Sequence, residues 1–316
     1  MTTNCAQVSG VAIARRALDD LASRLALALP EVARPGADLW MRARQGTRWP
    51  GSAPLLPAAD GWVHPGPPTA WADFSAMVTA LGACPAAAAD GVAMPDVGNL
   101  AVATIDAEAA AWMLPAAAVR AEPAPPDPVP ELVDMDVDGA AVVVLGTAWA
   151  GPLAGHVLAR LGARVVKVEH PRRPDPFPLR DALARGQEVH ALDLGVGADR
   201  DQLAPLLDRA DLLVDAHPPR VLANAGLTPR GSVVRIAAFV DGDRPGYGPA
   251  AEAHGGWAAR HDPPRLARTS LADPVAGLIA AITAVDVLKA RPPGSRARVS
   301  LEGAVGHLLE RERAGG

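Results

Sequence analysis

The sequence predicts an α/β protein: a doubly wound, mostly parallel sheet joined to a second, smaller and irregular α+β domain. Three observations carry this reading. Beyond residue 140, β-branched runs alternate with stretches of helical apolar period, the pattern of strands joined by crossover helices. Before residue 121, stretches rich in Gly, Pro and Trp interrupt the regular periods. Between them lies AEPAPPDPVP, Ala121 to Pro130, whose five prolines in ten residues forbid a continuous helix or central strand. It reads as an extended linker, so the expected division is 1–120, 121–130 and 131–316.

In chain order, Val8 to Leu29 has apolar residues near helical spacing. Arg34 to Pro68 reads as mostly loop, and Ala70 to Leu81 and Asp106 to Met113 as short helices. After the linker, Ala141 to Leu145 is a buried strand and Leu153 to Leu161 a helix stopped by Gly162. Arg164 to Glu169 is a second strand and Val189 to Leu194 a third. Arg200 to Asp208 is a helix, Leu212 to Asp215 and Val233 to Phe239 are strands, and Asp273 to Ala290 is a long apolar helix. No repeat of 20 to 50 residues occurs.

Composition narrows the functional classes. Of 316 residues, 49% are apolar and 21% charged, which excludes wholesale disorder, and the net charge of −5 gives no electrostatic case for nucleic acid. The only lysines are Lys167 and Lys289. Two cysteines, Cys5 and Cys84, form neither a disulfide framework nor a metal pattern and fit a reducing cytoplasm. The first twenty residues lack the apolar core of a signal peptide. Gly139 to Ala159 runs 21 residues without a formal charge, but its glycines, Pro152 and change of period read as strand, turn and helix rather than a membrane span. The chain therefore reads as soluble.

Ligands of doubly wound sheets bind beyond the carboxyl ends of the strands, so the turn Thr147 to Pro152 is the place to look. The stretch GTAWAGP there is neither a GxGxxG fingerprint nor a P-loop. Its small residues allow a ligand to approach the backbone at a helix start, and Trp149 either caps a pocket or buries itself. No GxSxG, HExxH or CxxC occurs, and the eight histidines are scattered, so no metal is expected. His217 and His254 fall at loop or pocket positions. Asp273, before Pro274 at the start of an apolar helix, reads as its N-cap, with Pro274 at the first helical position. Two roles stay open for it. It is a plain helix cap, or a partly desolvated carboxylate that acts as a covalent nucleophile.

The series VVVLGTAWAGPLAGHVLARLGARVVKVEHPRRPD, ARGQEVHALDL, RADLLVDAHPPRVLANAGL and RTSLADPVAGLIAAITAVDVL resembles the family III CoA-transferases, also called CaiB/BaiF. Order and spacing agree over Ala141 to Leu288. PAADGWVHPGPPTAWADF and LPAAAVR resemble blocks that follow the nucleotide-binding half in typical members. The order is therefore similar to a circular permutation found in a group of actinobacterial homologues. The resemblance implies a Rossmann-like CoA-binding domain and transfer of CoA from an acyl-CoA donor to a carboxylic acid acceptor. In it, Asp273 attacks the thioester to give a mixed anhydride and then carries CoA as an aspartyl thioester, while the backbone around Trp149 and Ala150 stabilises the oxyanions. Thr147, Lys167, Arg185, His217 and Arg220 are the implied CoA contacts. Coenzyme A is the co-substrate, no metal takes part, and a homodimer is expected.

The chain also departs from the family pattern. Ala184-Arg185-Gly186-Gln187 stands where many members carry Asn-Arg-Gly-Lys, and Ala216-His217-Pro218-Pro219-Arg220 where they carry Asn-Phe-Arg-Pro-Gly. Gly248-Pro249-Ala250-Ala251-Glu252 replaces an acidic or Gly-His-Asp loop. The first change loses a lysine and the second an arginine position, and charge-assisted contacts to phosphate are the strong ones, with Arg185 and Arg220 left to compensate. Two alternatives follow. One is an acyl-CoA racemase or epimerase of the same fold, pairing His254 or His261 with Asp273. The other is a non-catalytic CoA-binding subunit.

Overall fold

The computed structural model describes residues 10–25, 55–84, 94–173, 179–267 and 270–315. Its larger sheet grows outward from a β-branched run. In β4 (Ala141–Leu145), Val142 and Val144 face one side and Val143 and Leu145 the other, and all four are buried. A strand covered on both faces belongs inside a parallel sheet. Helix α4 (Ala150–Arg160) follows, then β5 (Arg164–Glu169), α5 (Leu179–Leu183), β6 (Gln187–Ala191), α6 (Gly197–Arg209), β7 (Leu212–Asp215), α7 (Arg220–Asn224) and β8 (Ser232–Ala237). Next come α8 (Gly248–His254), α9 (Ala272–Ala290), β9 (Arg296–Ser300) and α10 (Leu301–Gly315).

The sheet order is β6-β5-β4-β7-β8-β9, with every neighbouring pair parallel. The chain therefore leaves β4 toward β5 on one side and returns to β7 on the other, the Rossmann order, with its switch point between β4 and β7. Helix α9 is apolar on all sides, as a helix surrounded by protein must be. Val275, Leu278, Ile279 and Ile282 are buried within the core that α4, α10 and one face of the sheet share. Leu203, Leu207 and Leu222 cover the opposite face.

The smaller body is a three-stranded antiparallel sheet, β1 (Leu56–Ala58), β2 (Gly61–His64) and β3 (Ala117–Ala118), covered by α2 (Trp71–Ala80) and α3 (Val102–Ala111). Val63, Phe74, Met77, Val78 and Ile105 fill its core. Asp60, in the β1–β2 turn, accepts the Val102 amide at 2.7 Å and so starts α3. Against α8, the Arg120 amide donates to the Ala253 carbonyl at 3.0 Å, and Ala117 packs on Phe239 and Ala250.

Several expectations change. Of Arg34–Pro68, read as mostly loop, residues 34–54 lie outside the described residues, and the rest contains β1 and β2, two short strands meeting at a two-residue turn too brief to impose a period. The helix expected over Val8–Leu29 is α1 (Gly10–Arg24) where described. Its residues Ile13, Ala17, Leu18 and Leu21 join the core of α9 and α10, so α1 crosses the expected boundary at residue 120. Ala121–Pro130 is extended but held down. Asp127 accepts the Ser300 amide at 2.6 Å, and a Cβ on Gly306 would lie 2.4 Å from the Ala124 carbonyl. Asp273 is the second residue of α9 rather than its N-cap, and Pro274 the third. Leu271 is the cap, its amide bound by the buried Glu252 carboxyl, so the helix begins two residues earlier than expected.

Candidate active site

At the switch point the ends of β4 and β7 lie very close: a Cβ on Gly146 would come within 2.9 Å of the Ala216 Cβ. The turn after Gly146 is strained at Ala148, whose φ of 71° lies in the left-handed region that favours glycine. Trp149 is buried at the N-cap of α4, and its carbonyl accepts the Leu153 amide at 2.8 Å. Trp149 therefore buries itself in the core rather than standing over a pocket. α9 approaches this turn because Gly277 has no side chain. A Cβ there would meet the Ala150 carbonyl at 2.9 Å and Leu153 at 3.0 Å. Gly277 lies four residues after Asp273, so the first turn of α9 and the first turn of α4 are neighbours.

Asp273 is partly buried and accepts hydrogen bonds from the Ser270 hydroxyl and the Gly248 amide. Burial pushes its carboxyl up from 3.8 to about 6, and the hydrogen bonds only partly offset this. No ion pair with Asp273 occurs among the described residues. Gly248 has to be glycine here, since a Cβ would lie 1.8 Å from Ser270 Oγ and 2.1 Å from Asp273 Oδ2. One turn along α8, Glu252 is buried and accepts the amides of Leu271 at 2.8 Å and Ala267 at 3.2 Å. Burial, with Asp273 adding to it, pushes Glu252 up to about 8. Tyr247 is raised by burial, lowered by Arg173 and raised again by Asp273.

The residues read from sequence divide between several places. Ala150, after Trp149 at the start of α4, meets α9 at Gly277, one turn beyond Asp273. Thr147 follows β4 exposed, and His217 and Arg220 follow β7, half-buried and exposed respectively, so all three lie at the carboxyl ends of the strands. His217 Nδ1 is 3.3 Å from Asp215 Oδ1, and Arg235 donates to the His217 carbonyl at 3.0 Å. Lys167 is fully buried, with its ammonium 3.3 Å from Glu169, which Arg180 also binds. Residues i and i+2 of a strand share a face, so the lysine faces its partner rather than solvent. Arg185 is exposed ahead of β6, at the amino ends of the strands and away from the turn after β4. His254 lies at the other end of α8 from Asp273. Its Nδ1 is 2.6 Å from Glu302 and its Nε2 3.4 Å from Asp106.

Sequence reasoning named Gly248 and Glu252 only as part of a stretch that departs from the family pattern, and it missed Ser270 and Tyr247. Only Ser270, three residues before Asp273, carried a local signal. Among the described residues no group of His, Cys, Asp and Glu is arranged to hold a metal, and no helix there is long and apolar enough to cross a membrane.

The fold and site define a doubly wound α/β protein with a partly desolvated carboxyl beside its switch point. The profile of CoA-transferase family III matches residues 137–309, more than half of the sequence, and the chain belongs to that family. It is 28% identical over 193 residues to the succinyl-CoA–D-citramalate CoA-transferase of Chloroflexus aurantiacus, covering 52% of this chain and 48% of that protein. It is also 28% identical over 172 residues to the L-carnitine CoA-transferase of a Proteus species, covering 48% and 42%. The crystal structure of Rv3272 from Mycobacterium tuberculosis superposes with a TM-score of 0.49 at 26% identity, covering 56% of this chain and 58% of that one. The chain thus spans about half the length of these relatives or less.

Proposed function

We propose that this chain is a CoA-transferase that moves CoA from an acyl-CoA to a carboxylic acid, with Asp273 as nucleophile. One observation carries the reading: a carboxyl raised to about 6, with hydrogen-bond donors but no paired cation among the described residues, in the first turn of the helix that packs through Gly277 on the start of α4. It is mostly ionised at neutral pH yet more basic than a solvated aspartate, a combination suited to attack on a thioester. Asp273 Oδ adds to the thioester carbonyl, the C–S bond breaks, and CoA leaves as thiolate. The thiolate then attacks the aspartyl carbonyl of the mixed anhydride and releases the donor acid. An acceptor carboxylate repeats both steps in reverse. In this reading the backbone of Trp149 and Ala150, at the start of α4, receives the oxyanions, and Thr147, His217 and Arg220 bind the CoA moiety. Lys167, paired with Glu169, and Arg185, at the amino ends of the strands, are left out of this reading. A homodimer, a cytoplasmic location and a permuted block order remain part of it.

The racemase alternative loses one of its two histidines, because His254 is engaged by Glu302 and Asp106 rather than facing Asp273, and rests on His261. The test is intact-protein mass spectrometry after incubation with a panel of acyl-CoAs. A CoA-sized adduct mapping to Asp273, absent from Asp273→Asn, is expected. CoA binding with no adduct from any donor would overturn the transferase reading in favour of a binding subunit. Deuterium exchange at the acyl α-carbon would instead establish the racemase.

A further inference from the structure

Glu252 is one acid among alanines by sequence, yet it is only 1% exposed. Its two oxygens grip the chain that leads into α9 at two points. Oε1 accepts the Leu271 amide at 2.8 Å and Oε2 the Ala267 amide at 3.2 Å. One turn earlier on the same helix, Gly248 donates its amide to Asp273. α8 therefore holds the start of α9 twice, once through Glu252 and once through Gly248. A buried carboxyl serving only to fill space would cost free energy without return, whereas this one satisfies amides that the helix start leaves without intrahelical partners.

We propose that Glu252 is a positioning residue for Asp273: its carboxyl ties Ala267 and Leu271 to α8 and so holds the Asp273 carboxylate under the Gly248 amide, in the orientation needed to meet a thioester. This rests on Asp273 being the nucleophile. The surroundings of Glu252 set how the clamp responds to pH. It faces the amides of Ala267, Leu271 and Ala272 and the carboxylate of Asp273 from α9. His254, on its own helix, is turned to Glu302 of α10 and Asp106 of α3. With its carboxyl raised to about 8, Glu252 clamps as a neutral group at physiological pH. Ionisation above that value strengthens the amide hydrogen bonds to its oxygens but puts a second negative charge beside Asp273 in a poorly solvated place, which repels the Asp273 carboxylate from its position.

The experiment follows single-turnover formation of the CoA adduct on Asp273 by mass spectrometry across about pH 5 to 10. It compares wild type, Glu252→Gln and Glu252→Ala, with hydrogen exchange of the Leu271 amide measured in the same chains. Glu252→Ala is expected to slow the adduct ~100-fold, the cost of a small misplacement of a reacting group, and to speed exchange at Leu271. Glu252→Gln keeps an acceptor for Leu271 and cannot ionise. It is expected to slow the adduct less, ~10-fold, and to lose the fall in rate that wild type has above about pH 8. If Glu252→Ala does not fold, the pH profile of Glu252→Gln decides alone. A wild-type adduct rate and unchanged exchange in Glu252→Ala, or the same alkaline fall in Glu252→Gln, would overturn the role of Glu252 and leave Asp273 as nucleophile. Absence of any adduct in wild type would overturn both.

Discussion

The two ends of α8 treat buried carboxyls in opposite ways. At its C-terminal end, Asp106 meets Arg244 at 2.9 Å, Arg120 at 3.3 Å and His254, while Glu302 meets His254 at 2.6 Å. These partners outweigh burial, so Asp106 and Glu302 are held below the usual carboxylate range and His254 is raised above the usual histidine value. Asp273, against the N-terminal Gly248 of α8, and Glu252, one turn further along, receive backbone amides and one hydroxyl, and burial raises them to about 6 and about 8. The lesson is a division of labour over the length of one seven-residue helix. Paired carboxyls join the small domain, through Asp106 on α3, to Arg244, to α8 and to α10. Unpaired ones hold the basicity that chemistry can use.

Neutralising a carboxyl should therefore have opposite effects at the two ends. The largest change is expected for Asp106→Ala, which strands Arg244 and His254 without their carboxylate. It should cost about 3 kcal/mol in denaturant unfolding, with undocking of the small domain; a loss within error would break the comparison. Its pH signature has two limbs. Asp106, held low, contributes stability above its ordinary value that is lost as pH falls through the depressed one. His254, held high, contributes below its ordinary value and loses that contribution as pH rises through the raised one.

Asp273→Asn should act with the other sign. A carboxyl raised from 3.8 to about 6 contributes stability that is full below 3.8 and is lost as pH rises through 6. The variant is therefore expected to unfold like wild type near pH 4 and to be more stable than wild type by roughly 1–3 kcal/mol at pH 8. Equal stability at both pH values would mean that the carboxyl is not desolvated. Gly248→Ala brings a Cβ to 2.1 Å from Asp273 Oδ2, so carboxyl or helix must shift. About 1–3 kcal/mol of stability and most of the adduct formation should disappear together. The smallest effect is expected for Ser270→Ala. Losing a donor to the carboxylate disfavours the anion, so the acid limb of adduct formation should move upward from about pH 6 at a cost of ~1 kcal/mol; a downward move would reverse the assignment of the hydroxyl as donor.

The larger domain was legible because its chemistry is local. Ala141–Leu145, Arg164–Glu169 and Leu212–Asp215 were read with the bounds they have, since each is an apolar or β-branched run ended by a turn or a charge. β9 was missed because Arg296-Ala297-Arg298-Val299-Ser300 is an edge strand with arginines on its outer positions. α8 was missed because Gly248-Pro249 reads as a turn and the alanines after it carry no apolar period. Asp273 stood out in sequence by its place before an apolar helix. Glu252, 21 residues earlier, did not, because the loop that brings the two together is held by backbone amides, which leave no side-chain pattern to read. For Lys167 and Arg185 charge was legible but direction was not. The sequence exposes two cations, and the sheet buries one and sends the other to the far end of the strands.

The central claim is that the carboxyl without a paired cation, rather than those joined to arginine and histidine, does the chemistry. It is tested most directly by the pH dependence of CoA-adduct formation on Asp273, measured by peptide-mapped mass spectrometry in single turnover. The expected result is an adduct confined to Asp273 whose formation rises with a midpoint near pH 6, matching the raised carboxyl. An adduct at another residue, one persisting in Asp273→Asn, or a midpoint near the ordinary aspartate value of 3.8 would contradict it.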